Sequence, residues 1–463
     1  MNTACAIKEL FTSLRNGDKE LHALTVYCGG KKIFSGAAKP YTEYQKNHVY
    51  SLSKSFCSTA VGLACDMGYL SLDDKIIDIF PEKVPENVSE NTKKMTLRHV
   101  LSMNTGHDGC VMTRILPTDD PVAAFLSLPP EHEPGTHFAY NTGATYIASA
   151  CVTKKTGLTV LDLLERRLFC HMDICGSEWF SAHGFSEGGV GFNVCCDDAA
   201  KLGLLYLNGG IWNGKRLLSE EYVQTAQTAI SDNSGNGNPD WCAGYGLQFW
   251  RNYRGGFRGD GAFGQACIVY PEKNIVIAAI AECGDMQSEM DCFFDFINAL
   301  DNDPAPIGNE LDSFLEEFYG ADKINADDVK FVGKAFALDE NPCGFSSVRF
   351  DKTPCGINAV LTSCERANVM EGVSGEWTYG VMRGAFVMPT LDDLTLNRNR
   401  DLEYFSCART EGDALIFTLR GINCPHKITY KFEVDGENIK ISRIAGKCGG
   451  YHAEFTGKEI EYE

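Results

Sequence analysis

The stretch Tyr50-Ser51-Leu52-Ser53-Lys54-Ser55-Phe56 does most to limit what this chain can fold into. Phe56, Ala60, Val61, Leu63, Ala64 and Met67 follow at roughly helical spacing, so the stretch opens a helix whose apolar face must be buried. Ser51 stands where that helix begins, a position at which serine is a favoured N-cap. Residues three apart share a helix face, which sets Lys54 beside Ser51. A serine hydroxyl attacks poorly until a neighbour takes its proton, and a lysine does so once desolvation lowers its pKa. Ser-x-x-Lys alone occurs in many chains by chance. Its bland reading is a capped helix with a solvated lysine.

Around this stretch the pattern changes class along the chain. Residues 24–27 and 32–35, with Gly29-Gly30 between them, read as a hairpin. Thr96 reads as the cap of a helix carrying Leu97, Val100, Leu101 and Met103, stopped by Gly106. Further helices are expected over 146–156, 160–169, 197–208, 219–229 and 287–300, and strands over 244–250, 266–270 and 274–281. Strands at both ends with helices between imply an α/β sandwich, helices on a sheet beside a helical lobe. Two prolines within 302–307 mark a boundary. Residues 1–303 are therefore expected as one domain. Residues 304–334 follow as a linker with a helix presenting Leu311, Phe314, Leu315 and Phe318. Residues 335–463 are expected as a small all-β barrel or sandwich, since runs such as 359–361, 385–388, 414–417 and 439–441 are separated by turns such as Asp435-Gly436. No motif with chemistry stands in this last part, and its expected role is packing against the first.

Composition narrows the function. A formal net charge of −20 argues against nucleic acid or an anionic membrane as partner. No apolar run is long enough to span a bilayer. Residues 1–16 form an amphipathic helical pattern without the continuous apolar stretch of a signal peptide. The twenty cysteines are scattered with no C-x-x-C pair, so they read as reduced thiols of a cytoplasmic protein, most of them small buried hydrophobes. Neither a metal nor a cofactor is expected. The sequence carries no indication of oligomeric state.

Two further stretches make Ser51 specific: Gly135-Thr136-His137-Phe138-Ala139-Tyr140-Asn141-Thr142-Gly143 and Gly259-Asp260-Gly261-Ala262-Phe263-Gly264-Gln265. The three-part order resembles the serine β-lactamase and penicillin-binding-protein superfamily. Within it the nearest match is the class C β-lactamase-like serine hydrolases, which include esterases, D-aminopeptidases and nylon-oligomer hydrolases. There a Ser-x-x-Lys comes first, a Tyr-x-Asn second and a Lys-Thr-Gly or His-x-Gly third. The resemblance spans about residues 20–300 and extends to the linkers 70–74 and 97–103.

This resemblance implies a β-lactamase/transpeptidase-like fold, an antiparallel sheet flanked by helices plus a helical lobe. It implies Ser51 as the acylated nucleophile, Lys54 as its general-base partner and Tyr140 as the proton carrier to the leaving group. Which of Lys54 and Tyr140 is the base stays open, because a coupled pair has no single owner of the proton. The oxyanion hole would be the backbone N–H groups of Ser51 and Ala262, with glycines nearby letting the strand edge approach the substrate. The sequence departs from the family at two places. Thr142 holds the usual Asn position while Asn141 stands where a small residue is usual, so either is the polar substrate contact. Gly259 and Asp260 replace the usual Lys or His and Thr, which with Gly261 leaves an acid facing the substrate. Turnover of β-lactams is therefore not expected. Asp260 would receive a cationic or hydroxyl-bearing substrate group, or Arg258 would neutralise it. The expected function is a serine hydrolase of a small ester, amide or peptide, in a cleft lined around Asp260, Trp241 and Trp250. The alternative is a catalytically inactive member binding a peptide or cell-wall fragment in the same pocket.

Several other motifs read as decoys. Gly184-Phe185-Ser186-Glu187-Gly188 fits a nucleophile elbow, but Gly188-Gly189-Val190-Gly191 is no helix start. Gly209 through Lys215 nearly matches a phosphate loop, but Arg216 stands where Ser or Thr must bind magnesium. Arg258-Gly259-Asp260 spells an adhesion tripeptide without meaning in an acidic chain. His107-Asp108 mimics part of a triad, yet a loop histidine bonded to backbone is the commoner case. His137 reads as structural.

Overall fold

The computed structural model describes residues 1–363, 366–383, 401–446 and 452–461. Helix α1 (Thr3–Asn16) starts at Asn2, whose side chain accepts from the Cys5 N–H. Its buried stripe of Ala6, Ile7, Leu10, Phe11 and Leu14 faces a sheet. Strands β1 (Glu20–Cys28) and β2 (Lys31–Ala37) form the expected hairpin. Its turn needs glycine, because Gly29 and Gly30 sit at φ +57° and +76°. Helices α2 (Ser53–Asp66), α3 (Leu97–Leu101), α4 (Thr142–Thr156) and α5 (Cys196–Leu207) come next. Thr96 caps α3 in a reciprocal box with His99. Gly157, at φ +72°, ends α4.

Strands β3 (Trp250–Arg251), β4 (Phe257–Gly261), β5 (Gln265–Tyr270) and β6 (Ile275–Glu282) then complete a sheet of order β3-β4-β5-β6-β1-β2, antiparallel throughout. The N-terminal hairpin thus slots in beside the last strand. Side chains of β6 alternate between two apolar layers. Ile275, Ile277, Ala279 and Ala281 pack with α1, α6 (Met286–Ala299) and α7 (Asp312–Phe318). Val276, Ala278 and Ile280 pack with α2, α4 and α5. Both faces are covered, so β6 reads as one continuous apolar run.

The sheet departs from the sequence reading near its edge. Of the strand expected over 244–250, only Trp250 joins the sheet, while Tyr245 makes isolated bridges to Ser231 and Trp250. Phe257–Gly261 is a strand instead, bonded along β5, although Gly-Asp-Gly has the composition of a turn. Its glycines are there for steric reasons. A Cβ on Gly259 would lie 2.4 Å from Ser55 Oγ, and one on Gly261 would lie 2.1 Å from the Val49 carbonyl oxygen. Only bare backbone lets β4 run this close over the turn before α2. The close approach seen here is to that turn and to the first turn of α2.

Beyond α7, ten described strands from Ala335–Leu338 to Ala453–Ile460 form one antiparallel, barrel-like sheet in which the first strand pairs with the last. Phe336, Phe350, Tyr404, Phe417 and Phe432 fill it. The expected run 385–388 lies outside the described residues. This all-β unit is tied to the first sheet by buried charge. Arg420 and Lys427 both bond the Glu20 carboxylate, and they outweigh its burial to hold it down at about 2. Burial pushes the neighbouring His22 imidazole down to about 3.

Candidate active site

Ser51 sits in a single 3-10 turn, Tyr50–Leu52, that leads into α2. It does not cap the helix: no side-chain cap bond is made there. The structural bonds are made by Ser53, whose hydroxyl donates to the Tyr50 carbonyl at 2.5 Å and accepts from the Phe192 N–H at 3.1 Å. Ser51 Oγ instead accepts from Lys54 Nζ at 2.9 Å. Tyr50 is held at φ +48°, a left-handed conformation that costs a non-glycine residue about 1–3 kcal/mol and persists only where packing imposes it.

Lys54 is 1% exposed, and its Nζ has three oxygen neighbours: Ser51 Oγ, the Gly189 carbonyl at 2.8 Å and Thr142 Oγ1 at 3.2 Å. It also lies 4.8 Å from the centre of the Tyr140 ring. No carboxylate bonds it directly, so burial dominates and pulls its pKa from 10.5 down to about 8. The Tyr140 phenol is driven well above its ordinary value, first by burial and then by the Asp260 charge, against a hydrogen bond with Ser51. Its ring stacks on Trp250 at 5.3 Å, and Phe138, Tyr245 and Trp241 complete an aromatic wall.

The structure brings Ser51, Lys54, Tyr140 and Thr142 together and sends Asn141 elsewhere. The Asn141 oxygen accepts from the backbone N–H groups of Ala144 and Val111, capping α4 from a buried position. Of the two candidates for a polar contact, Thr142 is the one that meets Lys54, while the buried Asn141 amide nitrogen has no hydrogen-bond partner among the described residues. Asp260 is not a bare acid. It pairs with Arg258 at 2.9 Å, both side chains buried, and accepts from Trp250. Burial raises its pKa and Arg258 opposes the shift. Arg258 in turn donates to the Asp240 carbonyl and Asn252 Oδ1, both at 2.8 Å, and lies 4.3 Å from the Trp241 ring centre. Of the two expectations for Asp260, the pair matches neutralisation by Arg258 rather than an acid left bare for a substrate cation. Gly261 brings Ala262 alongside the turn, for a Gly261 Cβ would lie 3.1 Å from the Leu52 nitrogen.

One contact escaped sequence reading. Gly189, dismissed with its glycine-rich loop, supplies a carbonyl to Lys54. The signal was present in Gly188-Gly189, where Cβ atoms would strike α4 at the Thr145 carbonyl oxygen (2.8 Å) and Thr142 Cγ2 (2.7 Å). The elbow-like Ser186 lies in the two-residue strand Phe185–Ser186 of a short hairpin, not on a strand-to-helix turn, and its carbonyl accepts from Ser149 of α4. Among the described residues, Asp108, His132 and His137 gather metal-type ligand atoms within 4.8 Å, on exposed or partly exposed side chains. His132 Nε2 bonds Asp108 at 2.7 Å, which accounts for that cluster without an ion. Buried thiols behave as apolar groups: burial raises Cys57 and Cys267 to about 12.

Comparison with known proteins follows this geometry. The profile of the Beta-lactamase family matches residues 22–289, more than half of the chain. A 6-aminohexanoate-dimer hydrolase of Paenarthrobacter ureafaciens is 24% identical over 261 residues, 51% of this chain and 66% of that protein, so the match stops just short of two thirds of the relative's length. An octameric penicillin-binding protein homologue from Pyrococcus abyssi superposes with a TM-score of 0.53 at 13% identity, covering 98% of this chain and 100% of the other. EstCE1, a hydrolase with promiscuous acyltransferase activity, gives a TM-score of 0.54 at 14% identity over 64% of this chain and 98% of its own. At these identities the solved structures establish the shared fold.

Proposed function

The chain belongs to the beta-lactamase family, and from that premise we propose that it is a serine hydrolase that opens a small ester or amide through an acyl-enzyme on Ser51. The observation that carries this reading is the 2.9 Å contact between Ser51 Oγ and a lysine whose pKa has fallen to about 8. As an ammonium, Lys54 fills its three neighbours with three N–H donors. As a neutral amine it keeps two donors, enough for the Gly189 carbonyl and Thr142 Oγ1, and turns its lone pair to Ser51. Those two acceptors thus aim the lone pair at the one hydroxyl that must lose a proton. Near pH 8 both protonation states are populated, which suits a group that takes a proton and returns it.

Attack forms a bond from Ser51 Oγ to the substrate carbonyl carbon, with the hydroxyl proton passing to Lys54. The carbonyl oxygen becomes an oxyanion, received by the backbone N–H groups of Ser51 and Ala262. One such donor is worth about 3 kcal/mol of barrier. Tyr140, kept protonated by its raised pKa and hydrogen-bonded with Ser51, delivers a proton to the leaving oxygen or nitrogen. It is made good from Lys54. Water then repeats the sequence on the acyl-enzyme. The wall of Tyr140, Trp250, Tyr245 and Phe138, with Arg258 and Asp260 neutralised behind it, favours an uncharged acyl group over the carboxylate of a β-lactam.

A short-chain nitrophenyl ester assay tests the reading, together with mass mapping of a fluorophosphonate adduct. Hydrolysis with label on Ser51, both lost in Ser51→Ala, is expected. Full activity in Ser51→Ala, or label on another residue, would overturn the assignment. A folded chain that neither hydrolyses nor labels would point instead to a binding protein.

A further inference from the structure

The all-β unit reaches the site at its most constrained point. Tyr50, the residue before Ser51, packs with the interior of the C-terminal unit as well as against His48, whose ring lies 4.6 Å away. Its hydroxyl bonds His426 Nε2, a contact between residues 376 apart in the chain. His426 is buried, and its Nδ1 lies 3.4 Å from the Glu282 carboxylate at the end of β6. With Nδ1–H donating to that carboxylate, a neutral ring keeps Nε2 as acceptor for the Tyr50 O–H. Glu282 is itself fastened to the C-terminal unit, accepting from the Lys427 N–H at 3.2 Å.

The same histidine touches the other side of the site. Its ring meets Phe263 edge-on at 5.1 Å, and Phe263 meets Tyr50 edge-on at 5.0 Å. Phe263 follows Ala262 and, like Tyr50, is a non-glycine residue in a left-handed conformation, at φ +70°. Its carbonyl accepts from the Cys283 N–H at 3.0 Å, one residue past Glu282. So the neighbours of both proposed oxyanion donors, Tyr50 before Ser51 and Phe263 after Ala262, hold strained backbone and share one histidine. Strain of this kind survives only where surrounding groups over-determine it.

We propose that His426, carried by the C-terminal β unit, is a positioning residue for the reaction: by holding Tyr50 and Phe263 it sets the spacing of the Ser51 and Ala262 backbone N–H groups. This rests on the reading of Ser51 as nucleophile. The unit is then part of the catalytic framework, and its removal disables the site.

The full-length chain serves for the test, with the rate of fluorophosphonate labelling at Ser51 and with kcat and KM for a short-chain nitrophenyl ester. Displacing a reacting geometry by about an ångström costs about a hundredfold, so His426→Ala should slow labelling and kcat by about ten- to a hundredfold at nearly unchanged KM. His426→Gln, which keeps a polar atom near Tyr50, should recover part of the loss. Tyr50→Phe and His426→Ala should be non-additive in combination, because both break one contact. Trp377→Phe removes a different tie from this unit, its 2.8 Å bond to the Tyr319 carbonyl, and should leave both rates unchanged. Wild-type rates in His426→Ala, or equal slowing in Trp377→Phe, overturn the positioning role while leaving Ser51 in place. Absence of label on Ser51 in the wild type overturns the nucleophile, and this inference with it. Should His426→Ala fail to fold, wild-type rates in Tyr50→Phe are the refuting result.

Discussion

Lys54→Met should separate catalysis from stability in a way that depends on pH. A pKa of about 8 against 10.5 in the exposed side chain corresponds to about 3 kcal/mol that the fold forgoes by burying this amine. The sign follows from proton counting. Between pH 8 and 10.5 the unfolded chain holds a proton that the folded chain has released, so stability rises with pH across that window. Below pH 8 both states are protonated and the full penalty stands. Methionine removes the penalty but leaves the buried Gly189 carbonyl without its donor, a loss of about 1–3 kcal/mol. At pH 7 the variant should therefore match or exceed the wild type by about 0–2 kcal/mol. Above pH 10.5 it should be less stable by about 1–3 kcal/mol. Tyrosine ionisation at high pH is common to both proteins and cancels in the difference. Thermal unfolding of the pair at pH 7 and at pH 10.5 reads the crossover. Ester hydrolysis by the variant should fall at least a thousandfold, and wild-type kcat/KM should climb with pH and level off near 8. A variant less stable by the same margin at both pH values would refute the claim that Lys54 is a desolvated amine.

Other perturbations follow from the same geometry. Tyr140→Phe should lower kcat by about a hundredfold or more with little change in KM, as expected for a lost proton donor; a pure KM effect in steady-state kinetics would argue for substrate packing alone. Asp260→Asn strands the buried Arg258 charge and should cost about 3–5 kcal/mol of stability, seen as a large drop in Tm. Its residual activity should fall equally on amino- and carboxy-terminated esters, and a selective loss on one would restore a substrate role for Asp260. Burial raises the pKa of Glu289 from 4.5 to about 8, so in the window between them the unfolded chain has lost a proton that the folded chain keeps, and stability falls as pH rises. Glu289→Gln should accordingly raise Tm at pH 8 by the equivalent of about 2 kcal/mol or more and change little at pH 4; an equal effect at both would show that charge is not involved.

Legibility tracked how local each feature is. The hairpin at Gly29-Gly30, the Thr96 cap and the α4 stop at Gly157 were readable because turn and cap chemistry acts within four residues. Phe257–Gly261 was missed because its glycines answer to the turn beneath the strand, and a propensity reading has no access to that clash. Arg258 and Asp260 lie two apart on a strand and share a face, so their pairing was legible as one of two alternatives, and only the strand itself decided between them.

Ser51 and Lys54 meet because helix periodicity brings residues three apart together, so the linear chain already contains that contact. It does not contain the lysine's pKa. Desolvation arises only when Thr142, Gly189 and the aromatic wall, each from another part of the chain, close over the amine. Nor does it contain the contact that joins Tyr50 to His426. Backbone geometry dictates near neighbours, whereas dielectric and distant partners are properties of the packed whole.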